Sequence, residues 1–374
     1  MSQVKTYTKK GIEAAMQATG IWYHKSSSGF AILMVMFIIA TGLSLVTTVL
    51  VQVTSGNILS SYVYKREHAK QIALLGIKIV QSNLSYDKTD EKACARTYEW
   101  LFNRINSWQT YELQKETDEA DGQLQLYISC EEGKLNPNMW FDAQKKSFTL
   151  DGSAQQMLKK LGGILSPKER DAESLTKGLQ DALRKQKTLL DDVSLMVPEK
   201  FGEKTDLTIA LFTSPPEQTS ANLAGENSPG DNAKQESSPA LFDAFTTATN
   251  PAQTIEPLFF SRSIQKYLGL TGWPTEKQQR GKVAKQVAQA LSTETVDWKQ
   301  WWDTLLAPIF GKKFAQIDNG LLPSKFGNSC RAKYVSVVCY GKFGKVTQKL
   351  YAVLREQVVD DKRVEYVVKS LYWI

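Results

Sequence analysis

Histidine is scarce in this chain of 374 residues, which has two copies, His24 and His68. That inventory argues against a histidine-rich metal site and against a hydrolase centre built on histidine. The sequence also lacks a nucleophile elbow, a phosphate-binding loop, a dinucleotide fingerprint and a metal-spaced cluster. Net charge is +7 and the chain has no long basic block, so the charge pattern gives little support for nucleic-acid binding. We therefore expect no enzyme activity, no cofactor and no nucleic-acid partner.

The four cysteines form no C-x-x-C pair, so zinc and thioredoxin-type sites have no support. Outside the cytoplasm, an even number of cysteines permits disulfides. Cys330 and Cys339 are an odd number of residues apart, so on one strand they would face opposite sides at roughly 30 Å and could not bond. A Cys94–Cys130 disulfide and a set of buried free thiols both stay open.

Charge is absent from Ser26 to Tyr64, and residues 30–53 are the most apolar part. As a helix, these 24 or so residues extend about 36 Å, which is enough to cross a bilayer with some tilt. Four lysines precede this stretch, against Glu13 as the one acid. The positive-inside tendency then predicts a single-pass anchor with its N-terminus in the cytoplasm and the bulk of the chain outside. The four lysines are Lys5, Lys9, Lys10 and Lys25.

Three interpretations of this stretch compete. A buried core helix is disfavoured because nearly every face is apolar. A conventional cleaved signal finds small residues at Ala40-Thr-Gly42, but the apolar run continues past Gly42. The third interpretation is processing at Gly29, directly before the apolar run begins.

The residues around Gly29 carry a resemblance to a known family. The segment Lys25-Ser-Ser-Ser-Gly-Phe-Ala-Ile-Leu-Met34 resembles the type III signal of type IV pilins and type II secretion pseudopilins. The resemblance implies that a prepilin peptidase cuts between Gly29 and Phe30 and that the new amine of Phe30 is methylated.

Met34 departs from the usual pattern of that family, which has Glu at this fifth position after the cut. A carboxylate within hydrocarbon costs roughly 2.5–3.5 kcal/mol on insertion scales, and in pilins its proposed partner is the N-terminal amine of a neighbouring subunit. A subunit at the tip of a fibre has no subunit above it. In lacking this carboxylate, the chain resembles the large minor pseudopilins of the general secretion pathway protein K family.

Beyond the apolar run, helical spacing continues from Tyr64 to Asn83 with an apolar stripe that predicts packing on a sheet. Glu91–Gln109 is predicted as a second helix, with Trp108 among its core residues. Gln123–Ile128 alternates apolar and polar residues, as a half-buried strand does. The stripe consists of Ala69, Ile72, Ala73, Gly76, Ile79 and Val80.

The segment Cys130-Glu-Glu-Gly-Lys-Leu-Asn-Pro-Asn138 contains turn-forming residues. It resembles the acidic-Gly-Lys-hydrophobic-Asn-x-Asn segment that opens the inserted helical domain of the same family. Glu131, Glu132 and Asp142 are predicted as solvated turn carboxylates, because they lack EF-hand spacing. Calcium remains the alternative.

Residues 150–314 are predicted to be mostly helical. A capping box at Ser166-Pro-Lys-Glu169 starts one helix. Trp298, Trp301 and Trp302 are expected to be core or interface anchors. Within this part, residues 213–257 are rich in Ser, Pro, Asn, Thr and Gly, which predicts a disordered or long exposed loop.

The C-terminal part is rich in Val and Tyr, and predicts an antiparallel meander. Its strands are Tyr334–Tyr340, Val346–Arg355 and Val364–Ile374. Turns are expected at Gly341–Gly344 and Asp360–Lys362. This pattern resembles the end of the protein K family.

Together these observations predict an α+β fold in which a pilin-like long N-terminal helix packs on an antiparallel sheet, with a large helical domain inserted. The predicted parts are a leader at 1–29, a membrane segment at 30–53, sheet-domain parts at 54–149 and 315–374, and the insert at 150–314. The resemblance implies a minor pseudopilin in the inner membrane that caps the tip of the type II secretion pseudopilus. Its expected partners are the I- and J-type minor pseudopilins, the major pseudopilin, the prepilin peptidase and membrane lipid. A minor pilin of a type IV pilus and a signal-anchored envelope binding protein are the alternatives.

Overall fold

The computed structural model describes most of the chain in ten stretches. They are residues 27–113, 122–165, 169–196, 240–249, 255–271, 277–290, 297–317, 326–327, 330–360 and 362–374. The chain divides into two compact units, residues 1–65 and 66–374. The predicted leader up to residue 26 and the capping box at Ser166 lie outside the described residues.

Helix α1 runs from Ser27 to Leu84. In its last part, apolar side chains recur at helical spacing and are buried, as the stripe predicted. Gly76 is buried with them, and Ile79 is half-buried. The buried apolar residues are Ala69, Ile72, Ala73, Ile77, Val80 and Leu84.

The second helix, α2, begins at Glu91 and ends at Phe102, so the prediction that it continues to Gln109 was wrong. Asp90 caps its start by accepting hydrogen bonds from two backbone N–H groups. After its end, Asn106 adopts φ 56°, which a continuing helix does not permit. The side chain of Asn106 donates to the carbonyl of Phe260 at 2.8 Å, and Trp108 starts a strand instead of continuing the helix.

Six strands of the described residues form one antiparallel sheet in the order β1-β8-β7-β6-β3-β2. The predicted meander is confirmed as β6, β7 and β8, each close to its expected bounds. The turn between β6 and β7 is shorter than predicted, because Gly341 to Phe343 belong to β6 and Gly344 turns the chain with φ 59°. The strands are β1 (Tyr86–Asp87), β2 (Trp108–Leu113), β3 (Gly122–Cys130), β6 (Tyr334–Phe343), β7 (Val346–Val358) and β8 (Arg363–Trp373), while β4 (Phe141–Asp142) and β5 (Ser147–Phe148) pair separately.

Strands β3 and β6 are direct neighbours, with Cys130 opposite Val335. All of the chain between residues 131 and 333 therefore connects two adjacent strands. In the described residues of this part, the α-helices are α3 (Gly152–Leu165), α4 (Glu169–Lys185), α5 (Leu241–Ala244), α6 (Arg262–Leu268), α7 (Lys277–Ala290), α8 (Trp298–Trp301) and α9 (Ala307–Phe310), with a π-helical stretch at Trp302–Leu306.

The three tryptophans predicted as core or interface anchors lie at or near the core. Trp298 and Trp302 are buried, and Trp301 is half-buried. Trp302 stacks on Phe326 with ring centroids 5.8 Å apart. Trp302 also contacts the rings of Phe260, Phe310 and Phe314, so it belongs to an aromatic cluster within the helical part.

The predicted exposed loop at 213–257 was wrong for residues 240–249 and 255–257. Residues 213–239 and 250–254 lie outside the described part, but Leu241 and Phe245 are buried. Phe242 meets Tyr351 edge to face at 5.0 Å, so this segment covers one sheet face while the end of α1 covers the other. The polar composition of the whole window concealed a short apolar cluster. The architecture is nevertheless the predicted α+β arrangement, with a long N-terminal helix and an antiparallel sheet.

Candidate functional site

The first candidate site is the junction at the start of α1. Gly29, Phe30 and Met34 all lie within this helix. Side chains are described from Phe30 onward, except Ala31; Phe30 is 63% exposed and Met34 is 52% exposed. Helix α1 contains a segment long and apolar enough to cross a membrane, and none of that segment is buried against the rest of the protein. Such a surface is unfavourable in water, so it suits a single-pass membrane anchor.

Threonine hydroxyls in this apolar segment are satisfied within the helix itself. Thr41 donates to the carbonyl of Phe37 at 2.8 Å, and Thr48 donates to that of Ser44 at 2.8 Å. Hydrocarbon offers no water to an unpaired hydroxyl, so back-bonding of this kind is what a lipid-facing helix requires.

The second candidate feature is the close contact between α1 and strand β6. An added Cβ at Gly341 would lie 2.1 Å from the carbonyl oxygen of Ala69 and 2.6 Å from the nitrogen of Ala73. An added Cβ at Gly76 would lie 2.7 Å from Cys339 Sγ. Small residues on both elements let the helix backbone touch the strand backbone, which fixes where the helix meets the sheet.

The third feature is the turn that follows β3, where the prediction of solvated carboxylates was wrong. The side chains of Glu131 and Lys134 are only 2% and 1% exposed and form an ion pair. Lys134 Nζ also donates to Ser336 Oγ at 2.8 Å, and the hydroxyl of Thr246 donates to Glu131 Oε2. Strand β6 and the 240–249 segment thus bind this turn through buried charge. The i,i+3 spacing of Glu131 and Lys134 is the sequence feature that could have indicated this ion pair.

Glu132 is buried beside this ion pair. The N–H of Tyr334 donates to Glu132 Oε1 at 2.7 Å, while Oε2 has no hydrogen-bond partner among the described residues. Burial is the main cause that raises the pKa of Glu132 well above its usual value, and the charges of Glu131 and Glu256 add to it. Asp142, in contrast, remains partly exposed and pairs with Lys145 at 3.3 Å, as predicted.

Two asparagines and a glycine complete the turn. Asn136 Nδ2 donates to the carbonyl of Thr249 at 2.7 Å, and Asn138 exchanges two hydrogen bonds with the backbone of Leu190. An added Cβ at Gly133 would lie 1.7 Å from the carbonyl oxygen of Phe259. These three residues therefore attach the turn to segments of the connecting part.

All four cysteines are buried free thiols, so the open Cys94–Cys130 disulfide is absent and the alternative holds. Burial raises the pKa of the Cys94 thiol to about 11 and that of Cys330 to about 12. Thiols held protonated in this way are poor nucleophiles. In the described residues, no group of three or more His, Cys, Asp and Glu side chains could hold a metal ion.

Comparison with known proteins gives a match to a solved structure. No protein-family model matches the sequence, and no curated protein matches it. Among solved structures, a chain of the GspK-GspI-GspJ complex from the enterotoxigenic Escherichia coli type 2 secretion system matches at 11% sequence identity and a TM-score of 0.36. The match covers 85% of this chain and 99% of that chain. Because the TM-score is low, the functional proposal rests on the residues of this chain.

Proposed function

We propose that this chain is a minor pseudopilin of a type II secretion system, located at the tip of the pseudopilus, where it takes part in protein export across the outer membrane. The observation that carries the proposal is the continuity of α1. One helix begins at the junction that resembles a prepilin cleavage site. It is uncharged to Tyr64 and packs on an antiparallel sheet from Ala69 onward. The first part suits lipid or neighbouring helices, and the second part anchors a folded domain.

Processing is the first element of the proposal. A prepilin peptidase cuts between Gly29 and Phe30, and Phe30 becomes the methylated N-terminus of the mature subunit. The helix then lies in the inner membrane as a single span, with the bulk of the chain in the periplasm.

The tip position is the second element. Met34 leaves no carboxylate that would need the amine of a subunit above it, so the helix can start a fibre without a stranded charge. The long connection between β3 and β6 forms the inserted helical part, with proposed limits at 150 and 314. Its bulk would collide with a further subunit stacked on it. The proposed neighbours are the I- and J-type minor pseudopilins, followed by the major pseudopilin.

The test is the mass of the mature chain after co-expression with a prepilin peptidase. We expect the wild-type chain to lose residues 1–29 and gain a methyl group at Phe30, and a Gly29→Val variant to keep its full length. Gly42→Val is the matched control, because a Cβ at Gly42 meets no atom within 4 Å; it should be cut like the wild type.

Three results would contradict the proposal, each in a different way. A mature N-terminus at Leu43 would indicate a conventional signal peptide, and an intact Met1 in every sample would indicate a signal-anchored envelope protein. If the chain is cut at Gly29 but does not copurify with I- and J-type pseudopilins, the anchor stands and the tip role fails.

A further inference from the structure

An open apolar groove lies between the outer face of α1 and the edge of the sheet. Its volume is about 540 Å³. From the helix, Leu74 and Leu75 line it with 38% and 39% exposure, and from β8 Val368 and Leu371 line it with 41% and 39% exposure. Large apolar side chains concentrated in one concave surface are typical of interaction sites on otherwise folded domains.

The wall formed by β8 is also an unpaired sheet edge. Strand β1 covers only Arg363 and Val364, so from Glu365 to Trp373 the outer edge of β8 has no strand partner in the described part of the chain. The side chain of Gln81 reaches from the helix and donates to the carbonyl of Tyr366 at 2.8 Å. This carbonyl therefore points away from β7 and toward the helix, and a strand added at this edge would take the place of Gln81 there.

The positive charge at the rim of the groove favours one kind of binding partner over another. Lys78 lines the groove, and Lys70 Nζ lies 5.8 Å from the ring centroid of Trp373. Glu67 pairs with Lys70 at 3.6 Å, but no carboxylate lines the groove among the described residues. A second copy of this chain would add the same lysines to the rim, whereas a partner with acidic residues would complement them.

We propose that this groove binds an extended segment of a different protein, which adds a strand to the edge of β8. Alternate apolar side chains of that segment fill the space over Leu75 and Leu371, and acidic residues at its ends meet Lys70 and Lys78. This proposal goes beyond the pseudopilin assignment and does not depend on it, since it concerns only the folded unit from residue 66 onward.

The test uses the full chain in lipid nanodiscs and a labelled peptide of about nine residues that alternates Val and Thr. One version has Glu at both ends and the other has Lys. We expect the Glu version to bind at least about tenfold more tightly and to protect the amides of residues 365–373 from hydrogen exchange. Failure of the Glu peptide to bind, or equal binding of the two peptides, would overturn the proposal.

Variants distinguish binding in the groove from non-specific hydrophobic binding of the peptide. Leu75→Gln should weaken binding of the Glu peptide by about tenfold or more, while Leu195→Gln, at a leucine 47% exposed elsewhere, should leave it unchanged. Val368→Pro is tolerated by an edge strand but blocks strand addition, so it should abolish amide protection at 365–373. Equal binding by the Leu75 and Leu195 variants, or self-association of the chain that the peptide reverses, would refute the proposed occupant. Cleavage at Gly29 is measured separately, so the two proposals can fail independently.

Discussion

The buried ion pair between Glu131 and Lys134 makes a quantitative prediction. Both side chains are almost fully excluded from water, so removing one partner leaves the other charge buried without compensation. Such a change typically costs about 3–5 kcal/mol in the free energy of unfolding. Glu131→Gln and Lys134→Met should each lose about that amount.

The double variant should behave differently from the sum of the two. With both charges absent, the new glutamine amide can still accept the hydrogen bond from Thr246, and the new methionine fills the volume of the lysine stem. We expect a total loss of only about 1–2 kcal/mol, because replacing a whole buried pair is often nearly neutral. The coupling energy of this double-mutant cycle should therefore exceed about 2 kcal/mol.

Urea unfolding of the full chain, followed by tryptophan fluorescence, measures these values. The exposed pair Asp142–Lys145 has the same i,i+3 spacing, with side chains 29% and 68% exposed, and is the matched control. Its cycle should give a coupling energy below about 1 kcal/mol. Additive losses at Glu131 and Lys134, or equal coupling in both cycles, would refute the reasoning.

Other buried groups give three more testable expectations. Since folding raises the pKa of Glu132, the folded state binds the proton more tightly than the unfolded state does. The free energy of unfolding should therefore fall as pH rises above about 4.3, the pKa in the unfolded chain, and should stop falling once the pH exceeds the pKa in the folded chain. Urea titrations at several pH values should show a shallower fall in Glu132→Gln, and an unchanged slope would contradict the assignment. Gly341→Ala should destabilise the protein by about 1–3 kcal/mol through its clash with Ala69, whereas Gly163→Ala, in open space within α3, should be neutral or stabilising by about 0.5–1 kcal/mol; equal thermal shifts would refute the close contact. Iodoacetamide at pH 8 should leave all four thiols unmodified in the native chain and label them in urea, and mass spectrometry showing rapid native labelling would show that they are accessible.

Local patterns were sufficient where a residue's environment depends on its neighbours in sequence. The charge-free run from Ser26 to Tyr64 predicted the apolar part of α1, since length and polarity alone decide whether a helix can cross a bilayer. The alternation in β3 and the Val-rich strands at the C-terminus also matched their observed bounds closely. Gly344 marked the hairpin turn because φ above zero favours glycine.

Where the sequence misled, a distant partner decided the outcome. The helix ends at Phe102, and soon after it Asn106 turns the chain with φ 56° and binds Phe260, a residue far along the chain. Residues 240–249 looked like part of an exposed loop because the polar residues of the surrounding window outweigh Leu241 and Phe245. Their burial depends on a sheet face that only the folded chain provides.

The sequence alone indicated a charge-free helical anchor, a Gly29–Phe30 junction that resembles a prepilin cleavage site, and an antiparallel C-terminal meander. Hydrophobic periodicity and polarity are local properties, so they can be read from neighbouring residues. Tertiary structure decided the fate of its ionisable groups. Glu131 and Lys134 are buried because Ser336 and Thr246, which lie more than 100 residues away along the chain, supply their remaining hydrogen bonds. Burial of a charge is determined by the partners that surround it in space, and no window of sequence contains those partners.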